Sequence, residues 1–168
     1  MPTNIFIIQI NMNIEMAEIL FREMHRKDLP ILLMISQENM ASIILSSWGV
    51  ELRDEEILRA ILGPDAYSEV IEIDDEIVGY FSIDILDGKA FINAIQVKKG
   101  HQGEGYGTAM MERIYVLALS SRAKTIDLWV QLTNHSAMKF YRYCGYRTIS
   151  RQGNNYLMRK DLPNHDAE

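Results

Sequence analysis

Apolar and polar positions from Ile19 onward sort the chain into a succession of short strands and amphipathic helices. Residues 19–23 read as a short strand. Asp28, followed by Leu29 and Pro30, predicts an N-cap with proline in the first turn of a helix to about Glu38, and a second helix begins nearby. Asp54 is placed to cap a further helix through Glu55, Ile57, Leu58 and Ile61, which Gly63-Pro64 stops. Residues 69–73, 77–86 and 90–97 are β-branched and aromatic runs separated by Asp74-Asp75 and Asp87-Gly88, which predicts an antiparallel meander.

A glycine-rich segment at 102–108 precedes an apolar stripe of Met110, Ile114 and Leu117, with Met111 and Ala118 alongside, so a helix is expected to near Ser121. Residues 125–131 form the next strand. Because it follows a helix, it is expected to run parallel to the strand ending at Val97, in a β-loop-α-β unit. Residues 135–144 read as helical, and 146–151 with 155–162 read as a closing hairpin across Gly153-Asn154. No linker or internal repeat interrupts this order, so residues 18–162 are read as a single domain, followed by a mobile polar tail at 163–168.

Residues 5–10 are apolar but fall well short of the roughly 20 that span a bilayer, and no basic n-region or small-residue cleavage site accompanies them. A signal peptide and a membrane partner are therefore not expected. Met12 and Met16 precede the first well-patterned segment, which leaves residues 1–17 as an extension that is either a peripheral strand or the product of an early start codon.

The chain has 168 residues, 48% of them hydrophobic and 24% charged, the balance of one soluble globular core. A net charge of -6 without clustered Lys and Arg argues against a nucleic-acid partner and suits a cationic one. Cys144 stands alone, which excludes an intrachain disulfide and a cysteine zinc cluster and favours a reducing compartment, the cytoplasm. His25, His101, His135 and His165 lack metal-ligand spacing, so no metal is expected. The ten methionines are read as core filler.

Candidate chemistry centres on Gln102-Gly103-Glu104-Gly105-Tyr106-Gly107-Thr108. Between a strand and a helix, Gly103, Gly105 and Gly107 can take positive φ and bring main-chain N–H groups close to a pyrophosphate, beside the positive end of the helix dipole. A Walker loop would need Lys and Ser or Thr after its last glycine, and here Tyr106 follows Gly105 and Thr108 follows Gly107. A dinucleotide fingerprint would need Gly-x-Gly-x-x-Gly after a first strand, whereas these glycines are spaced two and two after a meander, with Asp127 inside a strand. A glycine-rich turn without a ligand stays open.

Gln102-x-x-Gly105-x-Gly107 resembles the (Gln/Arg)-x-x-Gly-x-(Gly/Ala) acyl-CoA signature of the GNAT N-acetyltransferase superfamily. Asn134-x-x-Ala137-x-x-x-Tyr141-x-x-x-Gly145-Tyr146 is similar to the family's later motif, and the element order agrees from about Ile19 to Leu162, including the terminal Tyr156-Leu157-Met158-Arg159-Lys160. The resemblance implies an α/β (α+β) fold: a mixed, mostly antiparallel central sheet with splayed parallel fourth and fifth core strands, flanked by helices. It also implies acetyl-CoA as acyl donor and direct transfer to a primary amine in a ternary complex. The acceptor would be a protein N-terminus, a lysine, a polyamine or another small amine, and the protein would act as a monomer or homodimer. A catalytically silent acyl-CoA-binding sensor or subunit is the alternative.

By that resemblance Ile95, Gln96 and Val97 would face the pantetheine, with an N–H near Ile95 polarising the thioester carbonyl. Gln102, Gly103, Glu104, Gly105, Tyr106, Gly107 and Thr108 would hold the pyrophosphate, and Asn134 and Ala137 the pantetheine arm. Tyr141 would reach the CoA sulfur and donate to the leaving thiolate, although an aromatic beside Phe140 and Tyr143 can be packing alone. Asn134 can also cap its helix. Cys144 has no His partner that would mark a nucleophile.

A lysine-like amine with a pKa near 10.4 is neutral at pH 7 in only about one molecule in 2,500, a cost of roughly 4.6 kcal/mol, whereas an α-amine near 7.7–8.0 costs far less. In relatives resembling histone or ribosomal-protein acetyltransferases a Glu on the fourth or fifth core strand assists, and here Phe91 and Trp129 occupy those places. A water relay held by Asn93 is the remaining expectation, against an Asn satisfied within the sheet. Glu38, Trp48, Glu51 and Tyr80 are the expected acceptor-binding residues, with Trp48 alternatively a helix-end anchor and the two glutamates alternatively solvated.

Overall fold

The two loops predicted to turn the meander do so with the backbone signs that suit a right-twisted hairpin: Asp74 and Asp75, then Asp87 and Gly88, all have positive φ. The computed structural model describes residues 6–12 and 15–163, with side chains from residue 19 onward. Its strands are β1 (Phe6–Met12), β2 (Glu15–Glu23), β3 (Ala66–Ile73), β4 (Glu76–Leu86), β5 (Lys89–Val97), β6 (Thr125–Gln131), β7 (Arg147–Gln152) and β8 (Asn155–Asp161). The α-helices are α1 (Leu29–Trp48), α2 (Asp54–Leu62), α3 (Tyr106–Ser120) and α4 (His135–Tyr143).

All eight described strands form one sheet in the order β1-β2-β3-β4-β5-β6-β8-β7. The β5–β6 pair is parallel and every other neighbouring pair is antiparallel, which matches the fold class expected from the sequence. Strand β1 lies at the edge against β2, and β2, the strand expected from residue 19, begins at Glu15. Within the expected tail only Pro163 is described; 164–168, with His165, lie outside the described residues.

Each face of the sheet has its own core. Phe81, Ile83, Ile92, Ile126 and Leu128 pack with Met110, Ile114 and Ala118 of α3 on one face. The spacing of those three helix residues is one helical turn each, and all three are fully buried, with Leu117 only half-buried beside them. On the other face Val70, Ile77 and Tyr80 pack with Leu32 and Ile35 of α1 and Ile57 and Ile61 of α2.

Three expectations about the first helices change. Asp28 does not cap α1 through its side chain. Its carboxylate is buried, accepts from Arg22 at 2.7 and 3.1 Å and from the N–H of His25 at 2.8 Å, because an unpaired guanidinium beside it would be costlier to bury than an uncapped helix start. Helix α1 also continues past Glu38 to Trp48 instead of giving way to a second helix, since no Gly or Pro follows Pro30 until Gly49, which closes it in the left-handed conformation with its N–H on Leu45 O. Helix α2 is capped not by Asp54 but by Arg53, whose N–H donates to the Glu56 carboxylate at 3.2 Å.

By length and composition 26–48 could cross a membrane. In this fold Leu32, Ile35 and Ser36 of that stretch are buried against the sheet and α2. Polar ties extend from it as well: Gln37 to Leu52 O and Asp54, and Asn39 to β5.

Candidate active site

Strands β5 and β6 pair only from Lys89↔Thr125 to Ile92↔Leu128, and beyond that point each keeps a partner on its outer side alone. The sheet therefore opens at its centre. Because Lys98 donates its N–H to Val78 O, the alternation of an antiparallel ladder turns the N–H and C=O of Ile95 and Val97 away from β4 and into the opening. An unpaired edge of this kind offers main-chain groups to the amides of an extended ligand.

At the end of β5 the chain enters the glycine segment. Gly103 (φ +77°) and Gly105 (φ +91°) take the left-handed conformation, and a Cβ at Gly103 would meet nothing within 4 Å, so its main chain is approachable. Gly105 is the N-cap of α3, and Ala109 N–H on Gly105 O is the first helical bond. The N–H groups of Tyr106, Gly107 and Thr108 are thus left without helical partners, at the positive end of the dipole. That is a fit for a pyrophosphate.

Side chains of the segment do other work than expected. Tyr106 is buried, 6.2 Å from the His101 ring, so only its main chain can face a ligand. Burial first, then Glu104, pushes its phenol up. Gln102 turns back on the protein, donating to Val97 O at 3.1 Å and to Asn39 Oδ1 at 3.3 Å. Asn39 in turn donates to Gln96 Oε1 at 3.0 Å and Val97 O at 2.8 Å. Thus the Gln96 side chain and the Val97 carbonyl, both expected on the pantetheine, already have protein partners, while both main-chain groups of Ile95 and the N–H of Val97 are free of those bonds. At Gly107 the constraint is different: a Cβ there would lie 3.2 Å from Phe140 Cζ, which seats α4 on the start of α3.

Helix α4 lines the β6 side. Asn134 caps it, Oδ1 accepting from Ala137 N–H at 3.3 Å, which uses the Ala137 amide and leaves the Asn134 amide nitrogen with no protein partner among the described residues. Tyr141 lies seven positions on, two turns along the same face. Its ring packs 5.6 Å from Phe140 and 6.2 Å from Tyr146, while its hydroxyl has no hydrogen-bond partner among the described residues. Burial, and secondarily Cys144, holds the phenol above its ordinary range, so at neutral pH it is a donor. Cys144 is half-buried and its thiol is pushed up by burial, the opposite of an activated nucleophile.

The remaining expected residues separate. Tyr80 is 1% exposed beneath α1 with its hydroxyl 2.6 Å from Ser36 Oγ, and burial pushes it up to about 12: a core position, not a wall of the opening. Trp48 is 44% exposed at the end of α1 and covers Gly153 in the β7–β8 turn, where a Cβ would come within 3.0 Å of the indole. Asn154 Nδ2 on Ser47 O at 2.6 Å fixes the same junction. Glu38 and Glu51 are exposed. Among the described residues no group of three His, Cys, Asp or Glu is placed to hold a metal.

Asn93 sits at a register shift between β4 and β5, the first residue past the last β5–β6 pair, and donates Nδ2 to Asp84 Oδ1 at 2.7 Å. Sequence reasoning passed over Asp84 and Asn39. Asp84 is one more outward position in an alternating strand, and Asn39 lies just beyond the end predicted for its helix.

Residues 29–146 match the family model described as "Acetyltransferase (GNAT) family". The chain is similar to an uncharacterized N-acetyltransferase of Archaeoglobus fulgidus, 37% identical over 79 residues, 43% of this chain and 54% of that one. It therefore spans about half the length of that relative. It is also similar to a Bacillus subtilis protein named as a candidate [ribosomal protein bS18]-alanine N-acetyltransferase, 28% identical over 116 residues, 69% of this chain and 75% of that one. In fold it is similar to the PaiA N-acetyltransferase of Thermoplasma acidophilum, solved in complex with coenzyme A, with a TM-score of 0.69 at 17% identity over 86% of this chain and 99% of that one. With its sheet opened beside a glycine-led helix and most of its length matched, the chain belongs to the acetyltransferase (GNAT) family, a family of acyl-CoA-dependent acyltransferases.

Proposed function

We propose that this protein transfers the acetyl group of acetyl-CoA directly to a primary amine, that of a protein N-terminus, a lysine, a polyamine or another small amine. The observation that carries the reading is the opening of β5 from β6 after Ile92 and Leu128, with Ile95 turned into it and the Gly103–Gly105 main chain at its end. Acetyl-CoA supplies the activated acyl group. The N–H of Ile95 hydrogen-bonds the carbonyl oxygen as negative charge develops there, which is worth several kcal/mol in a dry site. The N–H groups at the start of α3 hold the phosphates, and the Asn134 amide nitrogen donates to the pantetheine. The amine nitrogen attacks the carbonyl carbon, the C–S bond breaks, and Tyr141 gives its proton to the sulfur while the nitrogen loses one to water held at Asn93.

The acceptor enters from the α1 side, past Glu38 and Trp48. The acting unit is residues 18–162, as a monomer or homodimer in the cytoplasm, with no nucleic acid. Phe91 and Trp129, standing where assisting carboxylates are expected, favour the second reading, an acyl-CoA-binding protein without turnover. Calorimetry with acetyl-CoA and thiol release with peptides, polyamines, aminoglycosides and amino acids separate the two. Binding with turnover supports the transferase, binding without turnover supports the silent protein, and no binding overturns both.

A further inference from the structure

The bulge at Asn93 re-aims a side chain at the point where the sheet opens, and the partner it selects there is a carboxylate. Asp84 stands on β4 opposite Phe91 of β5 and Ala66 of β3, and it forms no ion pair among the described residues. The next carboxylate across the same level of the sheet, Asp127 on β6 opposite Phe91, is occupied by Arg159, which donates to both its oxygens at 2.7 Å. Asp84 therefore keeps a neutral partner, and that partner is Asn93 alone among the hydrogen bonds of the described side chains.

A carboxylate accepts and cannot donate, so it accepts the amide nitrogen of Asn93 and repels its oxygen. With Nδ2 held at 2.7 Å, Oδ1 is turned the other way, and it has no hydrogen-bond partner among the described residues. An amide free to rotate would present its donor and its acceptor to a ligand indifferently. Asp84 removes that freedom.

We propose that Asp84 is the positioning residue of the acceptor site, locking Asn93 so that its side-chain oxygen receives an N–H of the incoming primary amine and points the nitrogen lone pair at the acyl carbon. This rests on the acetyltransferase reading given above. The dyad selects amines that still carry N–H bonds at the moment of attack, and the Asp84 charge, one neighbour away, favours a cationic acceptor over an anionic one.

The test uses the full chain, its acetyl-CoA affinity, and initial rates with the most active acceptor of the amine panel. Turnover by the unsubstituted protein is read first; its absence overturns the transferase reading and this inference with it. Asp84→Asn replaces the acceptor oxygens by an amide of the same shape, so Asn93 can turn. The expected result is a fall in kcat/KM for the amine of about 10- to 100-fold, the effect of one misdirected hydrogen bond in a dry site. Acetyl-CoA affinity and melting temperature stay unchanged. Asn93→Ala gives a similar loss, and adding Asp84→Asn to it costs nothing more, since a positioning residue has no effect without the group it positions. Wild-type kinetics in Asp84→Asn, an equal loss of acetyl-CoA affinity, or losses that multiply in the double variant overturns the assignment while leaving the transferase reading intact.

Discussion

Asn39 of α1 donates through Nδ2 to the main-chain oxygen of Val97 at 2.8 Å, so α1 is fastened to the last residue of β5, where the glycine segment begins. The same carbonyl receives Gln102, and Gln102 also reaches Asn39. One helix and one loop thus share an acceptor, and the start of the glycine segment depends on both.

Asn39→Ala is expected to weaken acetyl-CoA binding about 10-fold, because it removes two donated bonds and leaves Gln102 with one partner instead of two. Calorimetry checks it. An unchanged Kd would show that the segment holds its shape without α1.

Tyr141→Phe removes the donor and keeps the ring against Phe140 and Tyr146, so acetyl-CoA affinity is expected to persist while kcat falls by about 10²- to 10⁴-fold. The pH profile carries the sign. Burial raises the phenol, its donating form exists below that raised value, and kcat should therefore show no loss attributable to Tyr141 as pH climbs to the ordinary phenol value near 10. A falling limb below that pH, absent in Tyr141→Phe, would contradict the raised phenol, and an unchanged kcat in Tyr141→Phe would contradict the assignment itself.

Asp28 and Arg22 link the start of α1 to β2, and Arg22 also donates to Glu72 on β3 at 2.7 Å. Burial raises the Asp28 carboxyl, but the bonds and charge of Arg22 and the His25 N–H outweigh it and leave the carboxyl below its ordinary value. A depressed carboxylate stabilises the fold above the unfolded-state value, and that stability is lost as pH falls through the ordinary range toward the folded one. Asp28→Asn is expected to cost roughly 1.5–3 kcal/mol at pH 7, since Arg22 keeps Glu72 but loses a second charged partner, and to shrink the acid sensitivity of the melting temperature. Thermal melts at pH 7 and below pH 4 check both.

Where local signals agreed with the final contacts, the reading of the chain was accurate to a residue or two. Strand β6 occupies the residues predicted, α3 buries Met110, Ile114 and Ala118 as its spacing required, and Asp74-Asp75 and Asp87-Gly88 turn where expected. Where a side chain had two possible partners, the local signal chose wrongly. Asp28 looked like a cap and is an ion-pair partner; Tyr80 was expected to bind the acceptor and is core, since the alternation of β4 does not say which face α1 and α2 cover.

By itself the sequence determined the order of the elements, the glycines at 103 and 105 that take a backbone few other residues tolerate, and Asn134 seven positions ahead of Tyr141 on one helical face. Those properties are local, set by sterics and by helical period. Only the tertiary structure decided that Asp84 meets Asn93 and that Asn39 meets Val97, because each contact joins residues on different elements through strand register and helix placement. Register is a property of paired strands, and the one-residue bulge at Asn93 was enough to choose which carboxylate its side chain meets.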